Sequence, residues 1–303
     1  MADRIRVLEK IVVGIDLSKA SDPLADFAIA VAAKYGSQLV FTYVVDESIV
    51  DHVAAGFDPN KLIEALTREA EEKLKEYVEK ASHRGVNARF VIVDTPTEPA
   101  VGLTEVAERE GASEILVTYK GHKLFKIIPI GSTAMSLVNR SPLPVLIVKI
   151  SDLKGKLVIR PSEGVEAEGL LSKPLLAVDS HVTQDFIEYF ATLAHRAGSA
   201  LQGVYVVHII EPDEDEVSSR RLVNNVVKKL ESHGLHARVI VLESHKPHRE
   251  ILSIAKQLGV TLIAVGRTIK KKGIWEFVAG TTLTRLLAES HLPLLVYPLE
   301  AEE

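Results

Sequence analysis

The chain predicts two tandem open parallel α/β sheets with helices on both faces, and three observations carry that reading. Short apolar runs alternate with amphipathic stretches, the order of elements in the first half is replayed in the second, and each copy ends in an apolar run, a glycine loop, a helical stretch and another apolar run. Alternation of this kind implies a parallel sheet with right-handed crossovers. Such sheets bind ligands beyond the carboxyl ends of their strands, where strand order reverses.

The elements follow in order. Lys10 to Asp16, KIVVGID, is a β-branched strand that ends in a carboxylate. From Pro23 the apolar residues Leu24, Phe27, Ala28, Val31 and Ala32 recur at helical spacing until Gly36 stops them. Gln38 to Val45 is the second strand, and Asp46 to Asn60 is expected to be a longer loop. Leu62, Leu66, Ala70, Leu74, Tyr77, Val78 and Ala81 mark one face of a long charged helix ending at Gly85. Val86 to Val93 is strand three, Thr97 or Glu98 to Arg109 the next helix, and Ile115 to Thr118 strand four. Glycines and hydroxyls then lie between that strand and a helix headed by Gly131, Ser132 and Thr133, before strand five at Val145 to Val148. Free backbone N–H groups and the helix dipole make such a junction an anion site. A plain turn glycine and a plain helix cap are the simpler account of the same residues.

Five segments of the second half answer the first. LLAVDS at Leu175 matches VVGIDLS, AGSALQGVYVVH at Ala197 matches YGSQLVFTYVVD, and HGLHARVIVLES at His233 matches RGVNARFVIVDT. GVTLIAVG at Gly259 and AGTTLTRLLAESHLPLLVY at Ala279 complete the set. A repeat of this length means two similar domains, expected at residues 1–150 and 174–303. Residues 151–173 between them have no sustained periodicity and read as a linker, with Leu157 to Ile159 able to add a small strand.

Composition narrows the function. The 303 residues are 47% hydrophobic and 25% charged, with a formal charge of −5, so nucleic acid is not expected as a partner. There is no cysteine, the start MADRIRVLEK is charged where a leader is expected to be apolar, and no apolar run approaches a membrane span. A cytoplasmic location away from membranes is expected. No nucleophile elbow and no P-loop lysine stands in the sequence, so no residue pattern announces catalysis.

With Asp16 ending strand one, YVVD ending strand two and G-x9-G-S-T before the last helix, the chain resembles the universal stress protein family in tandem form. The resemblance covers both halves and implies five-stranded sheets of order 3-2-1-4-5, similar to the adenine nucleotide alpha hydrolase fold. It also implies a cytoplasmic stress-response module that binds ATP or AMP with little or no turnover. The family pattern, G-x2-G-x9-G-S/T, wraps ribose and phosphates, while the strand-one Asp and strand-two backbone meet the base. Carried over, the first half has Asp16, Val44, Gly121, Gly131, Ser132 and Thr133, with Thr118 where the first glycine belongs. The second half has Asp179, Val206, Gly266, Gly280, Thr281 and Thr282, but Ile269 replaces the second glycine and the loop is one residue longer. Lys120, Lys123 and Lys126, and Arg267 and Lys270 to Lys272, are the cations that could meet phosphates, and a solvated loop is the simpler account of any one of them. The family also implies an intramolecular pseudo-dimer through the apolar fifth strands, and leaves a further homodimer open. The alternative is a nucleotide-free interaction scaffold whose protein partner the sequence does not name.

One cluster lies outside the resemblance. His181, His208, His245 and His248 all follow strands of the second half, whereas the matched positions Ser18, Asp46, Pro96 and Pro99 are not histidines. Converging imidazoles would hold a zinc ion; surface histidines on separate loops are the simpler account.

Overall fold

The computed structural model describes residues 5–53, 58–119, 132–153, 156–159, 167–212, 214–269 and 281–300. Two compact units result, one of Leu8–Leu137 and Ser141–Ile159, the other of Met1–Val7, Val138–Arg140 and Arg160–Glu303.

In the first half, β1 (Lys10–Ile15) leads through α1 (Ser21–Tyr35) to β2 (Gln38–Asp46), and α2 (Glu47–Val53) and α3 (Pro59–His83) lead to β3 (Ala88–Thr97). Next come α4 (Pro99–Glu110), β4 (Glu114–Tyr119), α5 (Ser132–Arg140), β5 (Val145–Leu153) and β6 (Lys156–Ile159). The sheet order is β3-β2-β1-β4-β5 with every pairing parallel, and β6 turns back antiparallel on β5. The order expected from the resemblance is therefore the order observed. Central strands read as continuous apolar runs because both faces are covered: Ile11, Val12 and Val13 have no exposed surface.

Local signals explain the helices. α1 ends where Gly36 adopts φ +69° and its N–H donates to the Ala32 carbonyl at 2.8 Å. The Asp58 side chain accepts from the Asn60 N–H at 3.0 Å, and Pro59 opens α3. Ala70, Leu74, Tyr77 and Ala81 form the buried stripe of α3, and burying Leu74 alone contributes about 2 kcal/mol.

The expected loop from Asp46 to Asn60 is interrupted by α2. Asp46 Oδ1 accepts from the Ser48 N–H and hydroxyl at 2.9 and 2.7 Å, and Val50 is buried, so seven residues find a cap and an anchor without a visible period. Strand three runs on through Pro96 to Thr97, beyond the expected Val93; an edge strand tolerates a proline with no N–H to give.

In the second half, β7 (Pro174–Val178), α6 (Gln184–Arg196), β8 (Val204–Ile210), α7 (Glu216–Ser232) and β9 (Ala237–Glu243) are followed by α8 (Pro247–Leu258), β10 (Leu262–Ile269), α9 (Thr281–Glu289) and β11 (Leu294–Glu300). The order is β9-β8-β7-β10-β11, all parallel.

Both halves hold the start of their first strand with a side chain from the start of the fourth. The fully buried Glu114 carboxylate accepts from the Leu8 N–H at 2.9 and 3.1 Å. Thr261 Oγ1 accepts from the Lys173 N–H at 3.0 Å and lies 2.8 Å from the Leu170 carbonyl, to which it donates. No helix among the described residues is long and apolar enough to cross a membrane.

Candidate functional site

Asp16 stands one residue past β1, exposed, at the carboxyl edge where the chain order of the first sheet reverses between β1 and β4. Its Oδ1 accepts from the Ser18 N–H and from the Ser21 hydroxyl, both at 3.0 Å. Between them Leu17 is held at φ +56°, in the left-handed region that a γ-branched residue seldom enters. The turn fixes the carboxylate against the first turn of α1.

The end of β2 stands beside it. Val44 is buried and packs on Gly102 of α4, where an added Cβ would lie 2.8 Å from Val44 Cγ1. Tyr43 is buried and its hydroxyl is pushed up to about 12, first by burial and then by the charges of Glu69, Asp46 and Asp16. Three carboxylates thus act on one phenol. The acidic surroundings favour ligand groups that donate hydrogen bonds, such as amines and hydroxyls, over phosphate oxygens.

Thr118 is half-buried in β4 opposite Val148 of β5. Thr133 is half-buried in the first turn of α5, and Ser132 is the first residue of that helix. Gly121, Gly131 and the lysines Lys120, Lys123 and Lys126 lie outside the described residues, as do Gly280 and Lys270 to Lys272.

A cleft of about 420 Å³ opens beside the β1–α1 turn, between Leu17, Ser18 and Asp22 on one side and Glu69, Lys73 and Tyr77 of α3 on the other. Three of its charges, Asp22, Lys73 and Glu76, pair with one another. Lys73 Nζ lies 2.9 Å from both Asp22 Oδ1 and Glu76 Oε2, and Tyr77 donates to Asp22 at 2.8 Å. Burial raises the Asp22 carboxyl, but hydrogen bonds from Lys73 and Tyr77 outweigh it and hold the group below its usual range. The same hydrogen bonds, from Asp22 and Glu76, raise Lys73. This network was missed in the sequence, where Tyr77 reads only as one more apolar position of α3.

In the second half Asp179 is exposed past β7, and its Oδ1 accepts from the His181 N–H at 2.9 Å. Val206 is fully buried in β8, and Thr282 is half-buried in α9, which Thr281 opens. Gly266 has a packing role of its own: a Cβ there would lie 2.6 Å from Leu299 Cδ1 and 3.0 Å from its Cγ. Arg267 is buried, and burial lowers its guanidinium to about 10, so it is not the solvated phosphate-seeking cation the sequence suggests.

The four histidines do not converge. Among the described residues no group of three or more His, Asp or Glu could hold a metal ion. His181 is exposed with its Nδ1 3.7 Å from Asp179, and His245 is exposed. His208 turns inward to the Val178 carbonyl, and His248 is buried in the first turn of α8, 3.7 Å from Glu289 of α9. Residues at strand ends share a level but not a direction, because side chains alternate across a strand and helix residues face their own core. Since α4 and α8 begin at Pro99 and Pro247, the first-half match of His248 is Ala100, not Pro99.

The universal stress protein family model matches residues 8–149 and again residues 173–298. A universal stress protein of Methanocaldococcus jannaschii is 30% identical over 141 residues, 46% of this chain and 82% of that protein. One of Bacillus subtilis is 27% identical over 150 residues, 47% of this chain and 100% of the relative. The crystal structure of a universal stress protein from Archaeoglobus fulgidus superposes with a TM-score of 0.71 at 21% identity, covering 95% of this chain and 98% of that one, which shows a shared fold. Matched twice along its length, with the five-stranded order present in each half, the chain belongs to the universal stress protein family.

Proposed function

We propose that this chain is a cytoplasmic regulatory module of the stress response that binds an adenine nucleotide, ATP or AMP, with the better site in its first half. The observation that carries the proposal is Asp16: an exposed carboxylate pinned by Ser18 and Ser21 at the β1–β4 reversal. Parallel sheets take their ligands at that position. The acidic wall near Tyr43 suits the amine of adenine and the hydroxyls of ribose. Phosphates are assigned by the sequence pattern to Gly121, Gly131, Ser132 and Thr133 with the lysines of their loop. In the second half Asp179, Val206, Gly266, Gly280, Thr281 and Thr282 form the weaker site, because Ile269 stands in a glycine position.

Mass spectrometry of small molecules released from the purified chain, followed by calorimetric titration with ATP, tests this reading. Gly131→Val and Asp16→Ala should each abolish binding by the first half. Loss confined to Gly280→Val would move the site to the second half. A second reading, a nucleotide-free interaction scaffold, is favoured by Thr118 in place of the first family glycine. No released nucleotide and no heat with ATP would select it.

A further inference from the structure

Among the described residues, the outer strand of the second sheet is open along a regular and apolar edge. β9 ends the order β9-β8-β7-β10-β11 and pairs with β8 alone, in unbroken register from Val204 opposite Ala237 to Ile210 opposite Glu243. The Ser244 N–H donates to the Ile210 carbonyl at 3.1 Å. Backbone groups of successive strand residues point to opposite edges, so Arg238, Ile240 and Leu242 direct theirs to β8, and Ala237, Val239, Val241 and Glu243 turn theirs to the open side. Of the described strands only β9 leaves large apolar side chains exposed, Val239 and Leu242 at 40% each. The strand, ARVIVLE, holds no proline, glycine or lysine that would discourage pairing.

The matched edge of the first half is guarded. β3 slips register against β2 between Val44 and Asp46, carries Pro96, and has α2 packed beside it. The second half has no counterpart of α2, because only residues 211–215 separate β8 from α7. Charge differs as well. Arg89 at the start of β3 pairs with Glu110, whereas the matched Arg238 lies over the Tyr205 ring of its own sheet, 6.0 Å from the centroid, and Glu243 at the far end of β9 is exposed. The two ends of β9 thus carry opposite charge, and an antiparallel copy of the same strand sets each charge beside its opposite.

We propose that β9 is a dimerisation edge, on which a second copy of this chain adds its own β9 antiparallel about a twofold axis centred on Ile240. Such an axis keeps every side chain on its own face of the sheet, so only residues an even number of positions apart can face each other. Centring on Ile240 engages the whole strand: Val239 exchanges both backbone bonds with Val241 of the second copy, and Ala237 with Glu243. Ile240 then faces itself in a non-hydrogen-bonded pair, where Cα atoms approach to about 4.5 Å. The exposed Val239 meets the β-branched Val241, and the exposed Leu242 is covered by the aliphatic stem of Arg238. Val207 stands opposite Ile240 on β8, so the apolar row of each sheet continues across the join. The contact is smaller than a standard interface of about 800 Å² per partner, so the dimer is reversible, with a Kd on the order of 10 µM. The proposal does not depend on which ligand either half binds.

Sedimentation velocity of the full-length chain from about 1 to about 100 µM, a range that brackets this Kd, should show a monomer passing into a dimer. Val239→Lys sets a charge against Val241 of the second copy and should weaken association roughly tenfold or more, with the far-UV circular dichroism of a folded chain. The chain has no cysteine, so a single introduced one reports the register. Oxidised in air, Ile240→Cys should give a disulfide-linked dimer, because its Cα separation falls inside the window of about 4.4–6.8 Å that a disulfide spans. Val239→Cys, at a more exposed position, should not, since that position faces Val241. Val91→Cys, at the matched position of β3, should also stay uncrosslinked. A wild-type chain that is monomeric at the upper concentration, a dimer that Val239→Lys leaves unweakened, or crosslinking through Val239→Cys or Val91→Cys as fast as through Ile240→Cys would overturn the proposal.

Discussion

Thr118 and Gly266 occupy the same place in the two halves, each in the carboxyl half of a fourth strand, and the structure gives opposite reasons for them. By family pattern Gly266 is the conforming residue and Thr118 the departure. Yet the space a side chain would need at Gly266 is taken by Leu299, whereas Thr118 sits half-buried opposite Val148 with its own side chain in place. A motif glycine can therefore persist for packing, and a lost one can leave the backbone where the ligand would meet it. The match and the mismatch are each weaker statements about ligand than the pattern alone implies.

The largest effect should come from making the second half like the first. Gly266→Thr pushes Cβ into Leu299 and should cost about 1–3 kcal/mol in urea denaturation. Leu299→Ala should be partly compensatory in a double-mutant cycle. A Gly266→Thr chain of unchanged stability that loses ATP binding would return the glycine to the ligand.

The reverse change sharpens the same contrast. If the Thr118 side chain crowds a nucleotide, Thr118→Gly should tighten ATP binding by the first half roughly tenfold, the worth of one relieved overpacked contact. Equal affinity in the two chains would mean the threonine never touches the ligand.

A smaller difference separates α3 from α7. Tyr77 donates to Asp22, while its match on the buried face of α7 is Val226. Tyr77→Phe should cost about 1 kcal/mol, one hydrogen bond at a part-buried site, and thermal unfolding should show the loss in the first half alone.

The smallest effect is one of pH. Burial holds the His248 imidazole below its usual range, with the Glu289 charge only partly opposing it. Folding thus favours the neutral ring. The stability this contributes is present above the unfolded value near 6.5 and is lost as pH falls through the lower folded value. Urea midpoints of the wild type should drop between pH 7 and pH 5, and less steeply in His248→Ala, which copies Ala100. Parallel slopes would show that other groups carry the acid sensitivity.

The sheets were legible because their signal is one-dimensional: runs such as Ile11–Val13 and Ile115–Val117 are apolar on both faces, and the repeat doubled every clue. Asp16 was legible as a strand-end carboxylate, but its hold on Ser21 depends on the turn at Leu17, which no residue type announces. α2 hid because ESIVDHV is too short to show a period and rests on the Asp46 cap. The histidines misled for a related reason. Sequence places them at the same level of a sheet, whereas His208 turns in to a carbonyl and His181 out to water. Leu299 filling the space at Gly266 required the register between β10 and β11, which a single strand cannot reveal.

The Glu114 carboxylate that receives the Leu8 N–H lies 106 residues further along the chain. On a ribosome making about 5–20 residues per second, the head of β1 is therefore complete roughly 5–20 s before its anchor exists. Thr261 repeats the delay for Lys173, 88 residues upstream. Each first strand, the centre of its finished sheet, spends the early life of the nascent protein without the neighbour that fastens its beginning. A pause placed after Glu114 should lengthen no exposure of this kind, whereas a pause just before it should leave the first half open to protease for the whole of the stall.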